Sequence, residues 1–198
     1  MPAIEFFFEF ASTYSYPAAM RIAALAHDAG VAVRWRPFLL GPIFKVHGWD
    51  TSPFNLYPAK GDYMWRDMAR LCADLGLSFQ RPDPFPQNSL LAARIAHVGL
   101  AERWAEDFCR AVYRSEFGDG RPISDEAALS SLLVSLAVDP APVLERARSA
   151  AIKASLRATT EEAQRLGIFG APSFVTQDGE LFWGNDRLEQ ALAWAKRR

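Results

Sequence analysis

Ile4 to Phe10 is a short apolar run rich in aromatic residues, the pattern of a buried strand. From Tyr14 to Ala29 the period lengthens to a helical one. Ala19, Ile22, Ala23 and Ala26 share a face, and Gly30 supplies a stop. Val31 to Phe38, VAVRWRPF, then turns Val31, Val33 and Trp35 inward against Arg34 and Arg36, with Pro37 closing the strand. Strand, helix and strand within about forty residues make a βαβ unit, parallel and right-handed in nearly all cases.

From Gly61 to about Ala158 the periodicity is helical throughout. The segments are DYMWRDMARLCADLG, SLLAARIAHVGL, ERWAEDFCRAVYRSEFG, DEAALSSLLVSLAV and PAPVLERARSAAIKASLRATTEEAQRLG. RPDPFPQN, GDGRPIS and VDPAP punctuate them as turns. The last segment reads as one helix entered through Asp139 and Pro140. Strands then return: Ser173–Thr176 and Glu180–Trp183 flank a Gln177-Asp178-Gly179 turn. Asn185-Asp186 is expected to cap a final amphipathic helix whose basic end suits its dipole. Joining the two ends across the helical block gives an α/β protein, a thioredoxin-like fold with a large all-helical insertion domain. Residues 1–40 with 159–198 would form the thioredoxin-like part, and 41–158 the insertion.

Composition narrows the function. The 198 residues are half apolar and 23% charged, enough for a sizeable core. With 22 basic against 23 acidic residues, no net field favours nucleic acid or an anionic membrane. No apolar run reaches the ~20 residues of a membrane span. MPAIEFFFEF lacks the residue order of a secretory signal, so a cytoplasmic setting is expected. Cys72 and Cys109 form no CxxC pair and read as small buried hydrophobes. His27, His47 and His97 lack metal-ligand spacing, and only His47 lies near a candidate site.

In this fold the loop after the first strand meets the first helix at the functional corner, here Ala11-Ser12-Thr13-Tyr14-Ser15. Disulfide exchange needs two sulfurs, and this corner offers S-x-x-S, which excludes redox chemistry there. What remains is helix-end amides favouring an anion and a hydroxyl able to donate to a thiolate supplied from outside. Simple helix capping by Ser12 is the plainer alternative. Pro172 opening a strand leaves the Ala171 backbone free for an extended ligand, and the Ala171–Pro172 bond is expected to be cis. Trp183-Gly184-Asn185-Asp186 could hold an amino-acid head group, or Asn and Asp could merely cap the helix.

The stretches FFFEFASTYSY, FLLGPIFKVHG, YPAKGDYMWRD, FPQNSLLAARIA, FGAPSF and FWGNDRL resemble the 2-hydroxychromene-2-carboxylate isomerase family. That family is related to kappa-class glutathione transferases and, more distantly, to DsbA-like oxidoreductases. The resemblance implies glutathione as cofactor, an aromatic oxo-carboxylate as small-molecule substrate, and a homodimer, expected to associate through the helical block and exposed aromatics near Trp49 and Trp65. It implies isomerisation between 2-hydroxychromene-2-carboxylate and trans-o-hydroxybenzylidenepyruvate by reversible thiolate addition. On the family's pattern Ser12 is catalytic and contacts the glutathione sulfur. Lys60, Ala171, Pro172, Trp183, Gly184, Asn185 and Asp186 complete the cofactor site, and Lys45, Asn55, Gln87 and Asn88 face the substrate. Two positions depart from the pattern: Thr13 follows Ser12 where proline is common, and Leu56 stands where a basic residue is frequent. A kappa-like transferase and a peptide-binding module are the alternatives.

Overall fold

The computed structural model describes residues 1–197. Strands β1 (Ala3–Phe8), β2 (Ala32–Pro37), β3 (Ser173–Thr176) and β4 (Leu181–Trp183) form one sheet in the order β2-β1-β3-β4. β1 and β2 run parallel, joined by α1 (Ser15–Ala29), with Ile4 opposite Val33 and Phe6 opposite Trp35. β3 and β4 are antiparallel to their neighbours. This is the thioredoxin-like arrangement, with the helical insertion between β2 and β3.

Alternation along β1 assigns its aromatics to two cores. Phe6 and Phe8 face one side, where Trp35 meets both rings edge-on at 5.0 and 5.3 Å. Phe7 faces the other side with Phe38, Ala163 and Val175. The first core continues without a break into the helical block, through Met64, Met68 and Cys72 of α4 (Pro58–Asp74), Ile95 of α5 (Leu90–Glu102), and Phe108 and Tyr113 of α6 (Ala105–Tyr113). Both cysteines lie in it, fully enclosed. No described helix is long and apolar enough to cross a membrane.

Several local expectations need correction. The chain leaves β1 at Phe8, so Glu9 and Phe10 both turn inward instead of alternating. Two short helices, α2 (Leu40–Val46) and α3 (Pro53–Leu56), occupy a stretch too brief for periodicity to show. α4 starts earlier than its apolar pattern, at Pro58, a residue suited to a first helical turn. After α6 the backbone widens into a π turn, Arg114–Gly118.

Beyond α7 (Glu126–Ser135), the segment read as one long helix is two: α8 (Pro140–Arg148) and α9 (Ala150–Arg165). Ser149 breaks it by adopting an extended conformation and accepting from the Ile152 N–H at 3.3 Å. A serine that caps locally competes with helix continuation. Finally, neither Asn185 nor Asp186 makes a side-chain cap; they sit in a single 3-10 turn, Asn185–Arg187, ahead of α10 (Leu188–Ala195).

Candidate active-site cleft

The corner between β1 and α1 opens into a cleft of about 820 Å³. Ser12 does not cap α1. Its hydroxyl donates to the Ala171 carbonyl at 2.9 Å, joining the corner to the loop that enters β3. The Ala171–Pro172 bond is cis, as expected from sequence. No described residue accepts from the Ala171 N–H, so that amide remains free beside the hydroxyl. Trp183 leans on Phe169 with ring centroids 5.0 Å apart and covers Gly170 so closely that a Cβ there would lie 2.5 Å from the indole nitrogen. Gly184 adopts φ 109°, and a side chain would strike the Asp186 carboxylate at 2.6 Å.

Ser12, Lys45, Lys60, Gln87, Asn88, Ala171 and Trp183 all line this one cleft. Pro172, Gly184, Asn185 and Asp186 lie outside its lining, next to Ala171 and Trp183. Asn185 is buried, and its Oδ1 has no protein partner. Asp186 is largely exposed and pairs with Arg187 at 3.1 Å. Asn55 also lies outside the lining; its amide donates to Thr51 Oγ1 at 3.2 Å and the Phe85 carbonyl at 3.1 Å, tying α3 to the FPQN turn. Gln87 is buried, held by the Ile123 N–H donating to its Oε1 at 2.7 Å, while its Nε2 has no partner. Asn88 Oδ1 accepts from the Leu90 N–H at 3.0 Å and caps α5.

Between these polar ends the wall is apolar and aromatic. Phe44 and Trp49 pack at 5.9 Å, Tyr14 and Phe54 at 6.2 Å, and Phe85 closes the side against Trp65 at 4.8 Å. Trp49 is a half-buried part of this wall and Trp65 packs behind Phe85, while Tyr57 and Tyr63 are the exposed aromatics of the stretch. Lys45 makes no ion pair among the described residues and lines the cleft. Lys60 Nζ lies 6.0 Å from the Phe54 ring centroid.

One feature escaped sequence reasoning. Glu9, only 8% exposed, lines the cleft beside Ser12, and burial raises its carboxyl above the usual carboxylate range. The Ser89 hydroxyl donates to it. The available signal was one carboxylate inside FFFEFA, an otherwise apolar run. The chain's own sulfurs, buried as expected, offer no nucleophile: burial pushes the Cys72 thiol up to about 11 and raises that of Cys109 well above its ordinary value.

The corner is thus that of a thioredoxin-fold protein without an accessible thiol, whose open amide and hydroxyl suit a ligand that brings its own sulfur. The DsbA-like thioredoxin domain model matches residues 3–193, and the chain belongs to that family. Within it, the chain is 30% identical over 188 residues to the 2-hydroxychromene-2-carboxylate isomerase of Sphingobium xenophagum, covering 94% of each. It is 27% identical to the kappa 1 glutathione S-transferase of Homo sapiens, over 94% of this chain and 87% of that protein. A solved 2-hydroxychromene-2-carboxylate isomerase superposes with a TM-score of 0.87 at 26% identity, covering 98% of this chain and 95% of that one.

Proposed function

We propose that the protein is a glutathione-dependent isomerase that interconverts 2-hydroxychromene-2-carboxylate and trans-o-hydroxybenzylidenepyruvate, or a closely related aromatic oxo-acid. The observation that carries this reading is the contact of Ser12 with Ala171 at one end of an aromatic cleft that also presents Lys45. The residues present fit the tripeptide. An unpaired backbone amide at Ala171, an unpartnered Oδ1 at Asn185 and the exposed Asp186 carboxylate match its peptide bond and α-ammonium.

Bound glutathione supplies a thiolate able to add reversibly to the conjugated, ring-opened substrate. Ser12 donates its hydroxyl proton to that sulfur in place of the Ala171 carbonyl, favouring the ionised form together with the α1 amides. Ala171 and Pro172 align the peptide, Trp183 and Gly184 shape the γ-glutamyl end, and Lys60 adds a cation. Lys45 holds the substrate carboxylate, and the Gln87 Nε2 donates to an oxygen of the same ligand. Asn88 and Asn55 keep the Pro-rich turn and α3 in place. The enzyme acts as a cytoplasmic homodimer; a monomeric mass at micromolar concentration would count against that assembly.

The test is titration with glutathione followed by ultraviolet thiolate absorbance, in wild type and Ser12→Ala, with and without the chromene carboxylate. The expected result is thiolate formation at neutral pH in wild type only, and isomerisation that leaves free glutathione unchanged. A stoichiometric fall in glutathione would instead favour a transferase, the activity named for the kappa-class relatives.

A further inference from the structure

Glu9 sits directly before the corner, and its backbone fixes the loop. Its carbonyl accepts from the Ser12 N–H at 3.0 Å and from the Tyr113 hydroxyl at 3.0 Å. Its side chain enters the cleft, with Oε1 accepting from the Ala11 N–H at 3.2 Å and from the Ser89 hydroxyl. Ser89 occupies the N-cap position of α5 yet makes no cap; Asn88 does that work at the Leu90 N–H. A hydroxyl standing where a helix cap belongs is therefore aimed at a carboxyl.

The groups facing Glu9 come from four directions. They are the Ala11 and Phe10 amides of its own loop, Ser89 ahead of α5, Tyr113 of α6 and Glu116 of the π turn. Among the described residues neither carboxyl is ion-paired; Lys45 and Lys60 line the same cleft as Glu9. Glu116 is fully enclosed, with neither carboxyl oxygen hydrogen-bonded, so it avoids a buried unpaired charge only in its neutral form. Desolvation raises the pKa of both groups, and Glu9 adds to the shift of Glu116. Of the two carboxyls, only Glu9 reaches the cleft.

From this arrangement we infer that Glu9 is a catalytic acid–base, the group that moves the proton when the cyclic form of the substrate opens. The inference rests on the substrate proposed above. In the cyclic hemiketal, the bond from the ring oxygen to the hydroxyl-bearing carbon breaks. Its electron pair goes to the ring oxygen, which takes the proton of Glu9. The hydroxyl on the same carbon gives its proton to the Glu9 carboxylate as the carbonyl forms. The acid is regenerated, atoms balance, and no oxidant or reductant is needed. Oε1 already accepts two hydrogen bonds, which leaves Oε2 to carry the proton. Ser89 is a positioning residue: it orients the carboxyl and limits the rise of its pKa. A general acid–base works best with a pKa near the working pH, which burial and these two donors together favour.

The experiment measures kcat and KM against pH for the full chain, with saturating glutathione and 2-hydroxychromene-2-carboxylate, in wild type, Glu9→Gln and Ser89→Ala. Glu9→Gln should lower kcat about 10²-fold, with KM and the thiolate absorbance of bound glutathione unchanged. Ser89→Ala should remain active at acidic pH and shift the alkaline fall in kcat to higher pH, because it removes a hydrogen bond that lowers the Glu9 pKa. Wild-type kcat in Glu9→Gln, or an unmoved alkaline limb in Ser89→Ala, would overturn the inference alone. Should Glu9→Gln not fold, the Ser89→Ala profile decides. A wild type that turns over no chromene would overturn the substrate reading and this inference with it.

Discussion

One wall of the cleft is sheet-side: Ser12 lies in the loop that follows β1, Ala171 in the loop that enters β3, and Trp183 ends β4. The facing wall is made of short helices and a proline-rich turn, held by polar ties such as Asn55 to the Phe85 carbonyl. The first wall is fixed by strand pairing and stands on the shared core, so its geometry changes only if the sheet changes. The second is assembled from local pieces that can vary without disturbing the core. A protein built this way can keep the geometry of one wall while the opposite wall is altered to suit another ligand.

Substitutions can separate the walls. The largest effect is expected at Ser12: Ser12→Ala should cost about 10²-fold in kcat, the order seen when a single donor to developing charge is removed. Gly170→Ala should follow. A Cβ 2.5 Å from the Trp183 nitrogen must displace that ring, weakening glutathione binding measured by thiolate titration. Gly61→Ala is its counterpart on the helical wall, because its Cβ would lie 2.3 Å from the Phe54 carbonyl oxygen and force α3 away from α4. That variant should lose substrate affinity while still forming bound thiolate. Equal loss of both functions would break the comparison. Lys45→Met should raise KM about tenfold, the loss of roughly 1.4 kcal/mol from one charge-assisted contact, with glutathione titration unchanged.

The smallest effect concerns stability. The Glu116 carboxyl is held well above its ordinary pKa by burial and by Glu9. A raised pKa means that folding is favoured most below the unfolded-state value and less as pH rises through the folded value. Glu116→Gln should therefore be more stable than wild type at alkaline pH, with the difference shrinking toward acidic pH in thermal melts. A constant difference across pH would show that Glu116 does not titrate between those limits.

The sheet-side wall was largely legible in the sequence. Alternation, the S-x-x-S corner and FGAPSF mark positions where strand ends dictate backbone geometry, and such patterns depend on few residues. The helical wall was less so, since α2 and α3 are shorter than the window in which a helical period emerges. Asn55 illustrates the limit: its residue type suits a ligand contact, but its amide is occupied within the protein. The two serines that do not cap, Ser12 and Ser89, are where local propensity and observed hydrogen bonding part. Such departures concentrate at functional sites, and here both line the cleft.

The two enclosed cysteines have a practical consequence. Neither Cys72 nor Cys109 exposes surface in the folded chain. An alkylating reagent can reach them only when the surrounding helices part. The rate of their labelling in native buffer therefore reports how often the core opens, giving the protein a clock for its own unfolding without any engineered probe.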